Sequence, residues 1–181
     1  MLYYITGNKN KIDVAKKFLS KYDISFIPKD LSALELQSDS IEEVVIHKAK
    51  DAFSKFKKPL FVSDHFWSIP ALGGFPGAYM KHINKWFKPK DLLNLMASKK
   101  NRQAILTEML CYIDKNTMKT FKQSHTGTVL KQSQGKGFVG FTVISLTKDG
   151  LSVAQKIEKD PSALEEDKLW EDFAKWYKDL K

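Results

Sequence analysis

The sequence contains little cysteine, little arginine and no long apolar run. Its single cysteine, Cys111, cannot form an intrachain disulfide, and the paired Cys or Cys/His spacings of zinc sites do not occur. No stretch approaches the roughly 20 apolar residues of a transmembrane helix, and the start, MLYYITGNKNK, becomes charged too early for a signal peptide. We therefore expect a reducing, cytoplasmic location and no membrane partner.

Glycine and proline are also scarce, at 9 and 6 of 181 residues. This composition excludes a collagenous, low-complexity or mainly disordered chain. Hydrophobic residues make up 43% of the sequence, and a chain of this length can bury a substantial core. The composition is typical of one domain, or of two closely joined lobes.

The charge is strongly basic but evenly spread. The sequence has 30 Lys+Arg against 21 Asp+Glu, a formal charge of +9, and nearly all the basic residues are lysines scattered between acids. No RGG, zinc-finger or RNP-like pattern accompanies them, so a nucleic-acid partner is disfavoured. A solvated lysine surface that also attracts small polyanions explains the charge better.

The first third of the chain predicts alternating strands and helices. Leu2–Ile5 is a short apolar strand, and residues 11–20 form a helix after a tight loop. Ile24–Ile27 is a candidate second strand. Residues 40–56 begin with the capping-box pattern Ser-Ile-Glu-Glu and continue with helical spacing of apolar residues. Leu60–Val62 predicts a buried strand whose carboxyl end would carry polar side chains.

The rest of the chain changes in character. Residues 71–79, ALGGFPGAY, predict a turn-rich loop, and helical segments follow up to residue 98. Strands are predicted at 104–113, 119–124, 126–131 and 141–147, which favours a mostly antiparallel second lobe. Residues 169–180 carry an aromatic stripe at helical spacing, which indicates core or dimer packing. The pattern predicts an α/β fold with a mixed sheet, flanking helices and two lobes.

The segment Thr6-Gly7-Asn8-Lys9-Asn10-Lys11 has the chemistry of an anion site. It follows a strand and begins a helix, so backbone N–H groups, the positive helix end and Lys11 converge there. It is not a Walker A loop, which is longer and ends in Gly-Lys-Ser/Thr. An ordinary capped turn explains the segment equally well.

Two acids and a lysine are further candidates. Glu35 lies between leucines ahead of the second helix, and Asp64 follows the predicted strand at Leu60–Val62, so the two carboxylates could hold Mg²⁺ or Mn²⁺ against a polyphosphate. An isolated acid more often caps a helix or a turn. Lys48 lies close to the buried stripe of its helix, where an ammonium is costly unless it meets an anion.

These segments together resemble the inosine triphosphate pyrophosphatase family. The resemblance rests on TGNKNK (6–11), LELQSDSIEEVVIHKAKDAF (34–53), LFVSD (60–64) and ALGGFPGAYMK (71–81). It covers the first half of the chain, and ALGGFPGAY after a strand that ends in Asp is the most specific part. The family's fold would be an elongated mixed sheet with two lobes and a central cleft, formed by residues 1–181 as one two-lobed domain.

The resemblance implies hydrolysis of non-standard purine nucleoside triphosphates to a monophosphate and pyrophosphate. The residues of this chain that match the family's substrate-binding positions are Thr6, Asn8, Lys11, Lys48 and Phe138. Glu35 and Asp64 would bind Mg²⁺ or Mn²⁺, and Asp64 would also activate the attacking water. The resemblance further implies that the protein forms a homodimer and that it binds a nucleoside triphosphate.

The chain also departs from the family pattern. Where two adjacent acids are expected, the sequence reads Ser63-Asp64, followed by His65, which is a replacement acid or base or a structural histidine. The Asp expected to contact the base is absent after Phe138, and so is the Ser-His-Arg triplet before the last helix. The alternative to an enzyme is therefore a catalytically weak nucleotide-binding sensor or partner protein of the same fold.

Overall fold

A computed structural model describes residues 1–31, 36–159 and 168–180. Over these residues the chain is a mixed α/β protein with seven helices and a seven-stranded sheet. None of the helices in the described ranges is both long and apolar enough to cross a bilayer. The strands are β1 (Tyr3–Ile5), β2 (Ile27–Lys29), β3 (Leu60–Ser68), β4 (Pro76–Gly77), β5 (Gln103–Ile113), β6 (Met118–Val129) and β7 (Ile144–Ser145). The helices are α1 (Lys9–Ser20), α2 (Ile41–Phe56), α3 (Met80–Trp86), α4 (Pro89–Leu95), α5 (Val139–Val143), α6 (Val153–Lys159) and α7 (Lys168–Asp179).

The strand order is β2-β1-β3-β5-β6-β7, with β4 paired to β3. The strands β2, β1 and β3 run parallel, and α1 and α2 form the crossover connections between them. The pairs β3–β4 and β6–β7 are antiparallel. The mixed sheet predicted from the sequence is confirmed.

The chain divides into two compact units. The first contains Met1–Asp64, Glu108–Gln123 and the C-terminal helix α7. The second contains His65–Thr107 and the described residues from Ser124 to Lys159.

The core of the first unit is aromatic. Tyr4 and Phe61 stack with ring centroids 4.3 Å apart, and Phe173 and Trp170 of α7 pack against Phe61. The stripe predicted for the C-terminal helix is confirmed except at its end: Leu169, Trp170, Phe173, Ala174 and Tyr177 are buried on one face, whereas Leu180 is 40% exposed. This packing holds β1, α1 and α7 around the strands that carry the candidate site.

The second unit has its own core, in which Trp67, Ile69, Met80, Leu92 and Val143 are buried with neighbouring apolar residues. The turn-rich loop predicted before α3 contains a single 3₁₀ turn, a cis peptide bond between Phe75 and Pro76, and the short strand β4. The two helices predicted over 79–98 are present as α3 and α4.

Two strand predictions in the first half need adjustment. The second strand is Ile27–Lys29 rather than Ile24–Ile27, because the Ile24 N–H closes the end of α1 by donating to Leu19 O. The strand predicted at Leu60–Val62 continues to Ser68, since its far end pairs with β4. Asp64 therefore lies within β3 rather than after it.

Two predictions in the second half were also wrong. The strands expected at 119–124 and 126–131 form one strand, β6, which continues through Gly127 to pair with β7. A glycine fits there because a Cβ would overlap the backbone oxygen of Ser145. Residues 139–143 are helical, and the strand predicted at 141–147 is reduced to Ile144–Ser145. Val139 and Val143 are buried, so tertiary packing overrides the β preference of this segment.

Candidate active site

The second helix, α2, begins as its sequence predicts. The Ser40 hydroxyl accepts a hydrogen bond from Glu43 N–H, which caps the helix. In a complete capping box, Ser40 N–H would donate to the Glu43 side chain. Here Ser40 N–H donates to Ser38 Oγ, and the Ser38 hydroxyl donates to the Glu43 carboxylate. The cap fixes the start of α2 and so sets the position of Lys48 two turns further on.

Residues 6–11 form a capped turn, which is one of the two interpretations given for this segment from the sequence. The Asn8 side chain accepts hydrogen bonds from the N–H groups of Asn10 and Lys11, and Thr6 Oγ1 accepts from Asn8 N–H. Gly7 packs tightly, since a Cβ there would lie 2.6 Å from an Asp30 carboxylate oxygen. Thr6 and Asn8 thus shape the loop, and Lys11 extends from it as the cation.

The Asp64 carboxylate is approached by one lysine from each of two helices, α1 and α2. The Lys11 ammonium donates to Asp64 Oδ1 at 3.0 Å and to the Ser63 carbonyl at 3.2 Å. The Lys48 ammonium lies 3.6 Å from the other carboxylate oxygen, Oδ2. The three side chains are only 18–28% exposed, so water screens their charges less than on an open surface. The structure thus brings Lys11, Lys48 and Asp64 together, and their roles in binding a substrate stay predictions.

The strand register explains the convergence. Tyr3 pairs with Leu60 and Tyr4 with Phe61, so the same offset brings Ser63 and Asp64 level with the loop that follows β1. Ligands of parallel α/β sheets bind at this edge, where the strands end and the connecting helices begin. Polar groups of β3 and the lysine of α1 therefore meet at the carboxyl end of β1.

Burial lowers the pKa of Lys11, and the nearby Lys48 ammonium lowers it further, while the Asp64 carboxylate opposes both effects. An additional anion that binds beside such a lysine stabilises its protonated form. Two ammonium groups face one carboxylate, so these three side chains carry a net charge of +1. The arrangement favours a phosphate chain, which would give each lysine further oxygen acceptors.

Sequence reasoning missed Tyr4. Its hydroxyl shares a hydrogen bond of 2.5 Å with Ser63 Oγ, and its ring is fully buried. Burial raises the pKa of Tyr4 far above its usual value, and the charges of Asp64 and Glu108 act in the same direction. Tyr4 therefore stays protonated and fixes the Ser63 side chain through this hydrogen bond. Its apolar neighbours in the sequence gave no signal of this role.

Sequence reasoning also missed Glu108, an acid within the apolar strand β5. It is half-buried in the same unit as Asp64, and its charge acts on both Lys11 and Tyr4. An acid within a predicted strand of mostly apolar residues was the available signal.

The remaining predicted residues are dispersed. Glu35 lies outside the described residues. Phe138 belongs to the second unit, where it precedes α5, is 53% exposed and meets Phe141 edge to face. Its exposed ring is suited to stacking, and its contact with a base stays a prediction. His65 continues β3 in a half-buried position at the start of the second unit.

The donor set around Asp64 fits a hard divalent cation that arrives with its substrate. Carboxylate and hydroxyl oxygens suit Mg²⁺, which keeps several waters and needs only one or two protein carboxylates when phosphates supply other ligands. Within the described residues no group of three or more His, Cys, Asp or Glu side chains is placed to hold a metal by itself. The site is thus suited to a cation shared with a phosphate chain.

In this α/β protein, two lysines from separate crossover helices face one carboxylate beside the carboxyl end of β1, an arrangement whose charges suit a small anion. A profile of the Ham1 family matches residues 2–160. The chain belongs to the Ham1 family, which confirms the resemblance seen in the sequence.

Individual relatives agree. The dITP/XTP pyrophosphatase of Methanopyrus kandleri is 29% identical over 178 residues, covering 97% of this chain and 95% of that protein. The dITP/XTP pyrophosphatase of Thermococcus kodakarensis is 26% identical, with 98% and 97% covered. The Ham1 protein of Staphylococcus aureus superimposes with a TM-score of 0.81 at 19% identity, with 99% of each chain covered. The similarity to the Staphylococcus aureus protein shows that the two chains share a fold.

Proposed function

We propose that this protein hydrolyses nucleoside triphosphates of the dITP/XTP kind to the nucleoside monophosphate and pyrophosphate. The prediction of a nucleoside triphosphate pyrophosphatase is confirmed at the level of enzyme class by relatives of that name that match nearly the whole chain. The observation that carries the proposal for this chain is the convergence of Lys11 and Lys48 on Asp64.

The side chains suit the reaction. Lys11 and Lys48 bind the oxygens of the phosphate chain and offset the charge that develops on the departing pyrophosphate. Asp64, released from the two ammonium groups when they turn to the phosphates, orients a water toward the α-phosphorus and accepts its proton. The water oxygen bonds to the α-phosphorus as the bond to the bridging α–β oxygen breaks, so pyrophosphate leaves with that oxygen.

A divalent cation is part of the proposal. Asp64 and, by prediction, Glu35 would hold Mg²⁺ or Mn²⁺. The ion would supply further positive charge to the phosphate chain.

A substrate screen tests the proposal directly. We expect pyrophosphate release from ITP, dITP or XTP with Mg²⁺ or Mn²⁺, and slower release from ATP and GTP. In H₂¹⁸O the label is expected in the monophosphate and not in pyrophosphate, because water attacks the α-phosphorus. Release of orthophosphate alone, or label in pyrophosphate, would contradict the proposed reaction. A non-hydrolysable triphosphate that raises Tm without turnover of any substrate would instead identify a nucleotide-binding sensor.

Assembly and location stay predictions. The buried free thiol of Cys111 is compatible with a reducing cytoplasm. We propose a homodimer on the basis of the family resemblance, and light scattering of the purified chain measures it. A monomeric mass at micromolar concentration would contradict this part of the proposal.

A further inference from the structure

The first turn of α5 is held by a side chain that belongs to another helix. Phe138, the residue at the cap position of α5, has no side-chain oxygen with which to cap it. Instead, Val139 N–H donates a hydrogen bond of 3.2 Å to Asn84 Oδ1 on α3, 55 residues away in the sequence. The first N–H groups of a helix have no acceptor within the helix, so an oxygen that accepts from one of them fixes the helix end. Asn84 supplies that oxygen for α5.

Close packing between α3 and α5 accompanies this hydrogen bond. Both helices belong to the second unit, and Met80 and Val139 are buried. A Cβ at Gly140 would lie 2.7 Å from Met80 Cε, so the backbone of α5 comes close to α3 at this point. Asn84 follows Met80 by one helical turn, which places its amide beside the apolar contact. The start of α5 is therefore attached to α3 by both an apolar and a polar contact.

The Phe138 ring is restrained from its C-terminal side. It meets the Phe141 ring edge to face, with centroids 5.7 Å apart, while more than half of the side chain stays exposed. On its N-terminal side, Gly137 has a φ of +139°, and a Cβ there would meet nothing within 4 Å. This part of the loop runs through open space, so the contacts that orient the ring come from Val139 and Phe141.

The hydrogen bond of Asn84 acts directly on the orientation of Phe138. Val139 N–H lies in the same rigid peptide plane as the Phe138 carbonyl, so fixing that N–H restricts the ψ angle of Phe138 and the direction of its Cα–Cβ bond. An exposed aromatic ring can stack on a nucleobase. A ring that is already oriented for stacking loses less conformational freedom when it binds.

We propose that Asn84 is a positioning residue for base binding, which holds the Phe138 ring in the orientation that stacks on the purine of the triphosphate. This assignment rests on the proposed function for the identity of the ligand and on the predicted contact between Phe138 and the base. Its own content is that the affinity for the base, and not the affinity for the phosphate chain, depends on Asn84.

Calorimetric titration of the full-length chain with two ligands provides the test. The α,β-methylene analogue of ITP carries the base and cannot be cleaved at the α–β bridge, whereas inorganic tripolyphosphate has no base. For Asn84→Ala in the presence of Mg²⁺ we expect Kd for the analogue to rise about fivefold, the effect of one lost hydrogen bond. We expect Kd for tripolyphosphate to stay within about twofold of the wild type, whereas general damage to the fold would weaken both ligands.

Matched variants separate positioning from a simple structural role. Asn94→Ala, an exposed asparagine on α4, is expected to bind both ligands as the wild type does. Asn84→Asp keeps an oxygen that can accept from Val139 N–H and is expected to recover most of the affinity for the analogue. In steady-state assays, Asn84→Ala should raise KM for ITP and leave kcat nearly unchanged, because the base is remote from the reacting phosphorus.

A double-mutant cycle shows whether Asn84 acts through the ring. Phe138→Ala is expected to raise Kd for the analogue about tenfold, since it removes the stacking surface. In the Phe138→Ala background, adding Asn84→Ala should change Kd by less than about twofold. If the two effects multiply instead, Asn84 acts independently of Phe138 and the inference is wrong. An unchanged Kd in Phe138→Ala would contradict it as well.

The outcomes distinguish this inference from the proposed function. If the wild type releases pyrophosphate but Asn84→Ala binds the analogue as tightly as the wild type, the role of Asn84 is wrong and the enzyme assignment stands. If binding of the analogue depends on Asn84 and Phe138 but no triphosphate is cleaved, the positioning role stands and the proposed reaction is wrong. A wild type that binds tripolyphosphate as tightly as the analogue gains nothing from the base, which would overturn the inference.

Discussion

The Lys11 ammonium lies 3.0 Å from Asp64 Oδ1, although 52 residues separate the two in the sequence. The pair joins the helix after β1 to the neighbouring parallel strand β3. Lys48 approaches the other oxygen of the same carboxylate from α2. The carboxylate therefore holds the ends of two lysine side chains that come from different helices.

Asp64→Asn is expected to lower kcat by about 10²-fold or more, because the amide cannot accept a proton from the attacking water. Steady-state pyrophosphate release measures the effect. Asp13→Asn, an exposed acid on α1, is the matched control and should turn over as the wild type does. Tm should change by only a few degrees for both variants. Unchanged turnover in Asp64→Asn would remove this residue from the mechanism.

Lys11→Ala and Lys48→Ala are each expected to raise KM about tenfold or more, since each removes a charged contact to the phosphates, worth roughly 1.5–3 kcal/mol. The comparison is Lys16→Ala, an exposed lysine on the same helix as Lys11. If Lys16→Ala raises KM as much as Lys11→Ala does, general surface charge rather than the site attracts the substrate.

As the pH is raised, triphosphate binding should begin to weaken at a lower pH than it would if Lys11 had the pKa of an ordinary lysine. Burial lowers the pKa of Lys11, so this group loses its charge at a lower pH than exposed lysines, whose pKa is about 10.4. We expect KM to rise with pH below that value. Arginine keeps its charge throughout, so Lys11→Arg should remove the rise in a KM profile taken between pH 7 and 10. An identical profile in this variant would contradict the assignment.

Asp114 is predicted to stabilise the turn between β5 and β6. Its carboxylate accepts hydrogen bonds from Asn116 N–H, Thr117 N–H and the Tyr112 hydroxyl. Asp114→Ala should reduce the free energy of unfolding by about 2 kcal/mol at pH 7, measured by urea denaturation. Asp13→Ala should leave it nearly unchanged.

The pH dependence of this effect has a defined sign. Burial raises the pKa of Asp114, but the hydrogen bonds outweigh it and hold the pKa below its ordinary value. The stabilisation is therefore complete above the unfolded pKa of about 3.9 and is lost as pH falls through the lower folded value. The difference between Asp114→Ala and wild type should shrink below pH 4. A difference that grows in acid would contradict the assignment.

Local chemistry allowed much of the site to be predicted. Ser40 begins α2 because its hydroxyl can cap the helix, and the helical period then places Lys48 beside the buried face. The loop at Thr6–Asn8 follows a strand and caps α1 with its own side chains, which directs Lys11 to the edge of the sheet. Each step depends on residues within a turn or two of one another.

Non-local contacts decided what the sequence did not indicate. The strand β3 extends past Asp64 because β4 pairs with its far end, and residues 139–143 are helical because buried packing outweighs their β preference. The hydrogen bond between Tyr4 and Ser63 joins two strands whose register no local pattern defines.

The sequence by itself determined the element types, the caps and the candidate charges, because helical period, capping oxygens and apolar runs act over a few residues. Only the tertiary structure decided which charges meet. Strand order and register bring Lys11, Lys48 and Asp64 together across more than 50 residues of sequence, and the same register places the Tyr4 hydroxyl against Ser63. Sheet pairing is fixed by the burial of whole faces rather than by any one segment, so the site becomes visible only in the folded chain.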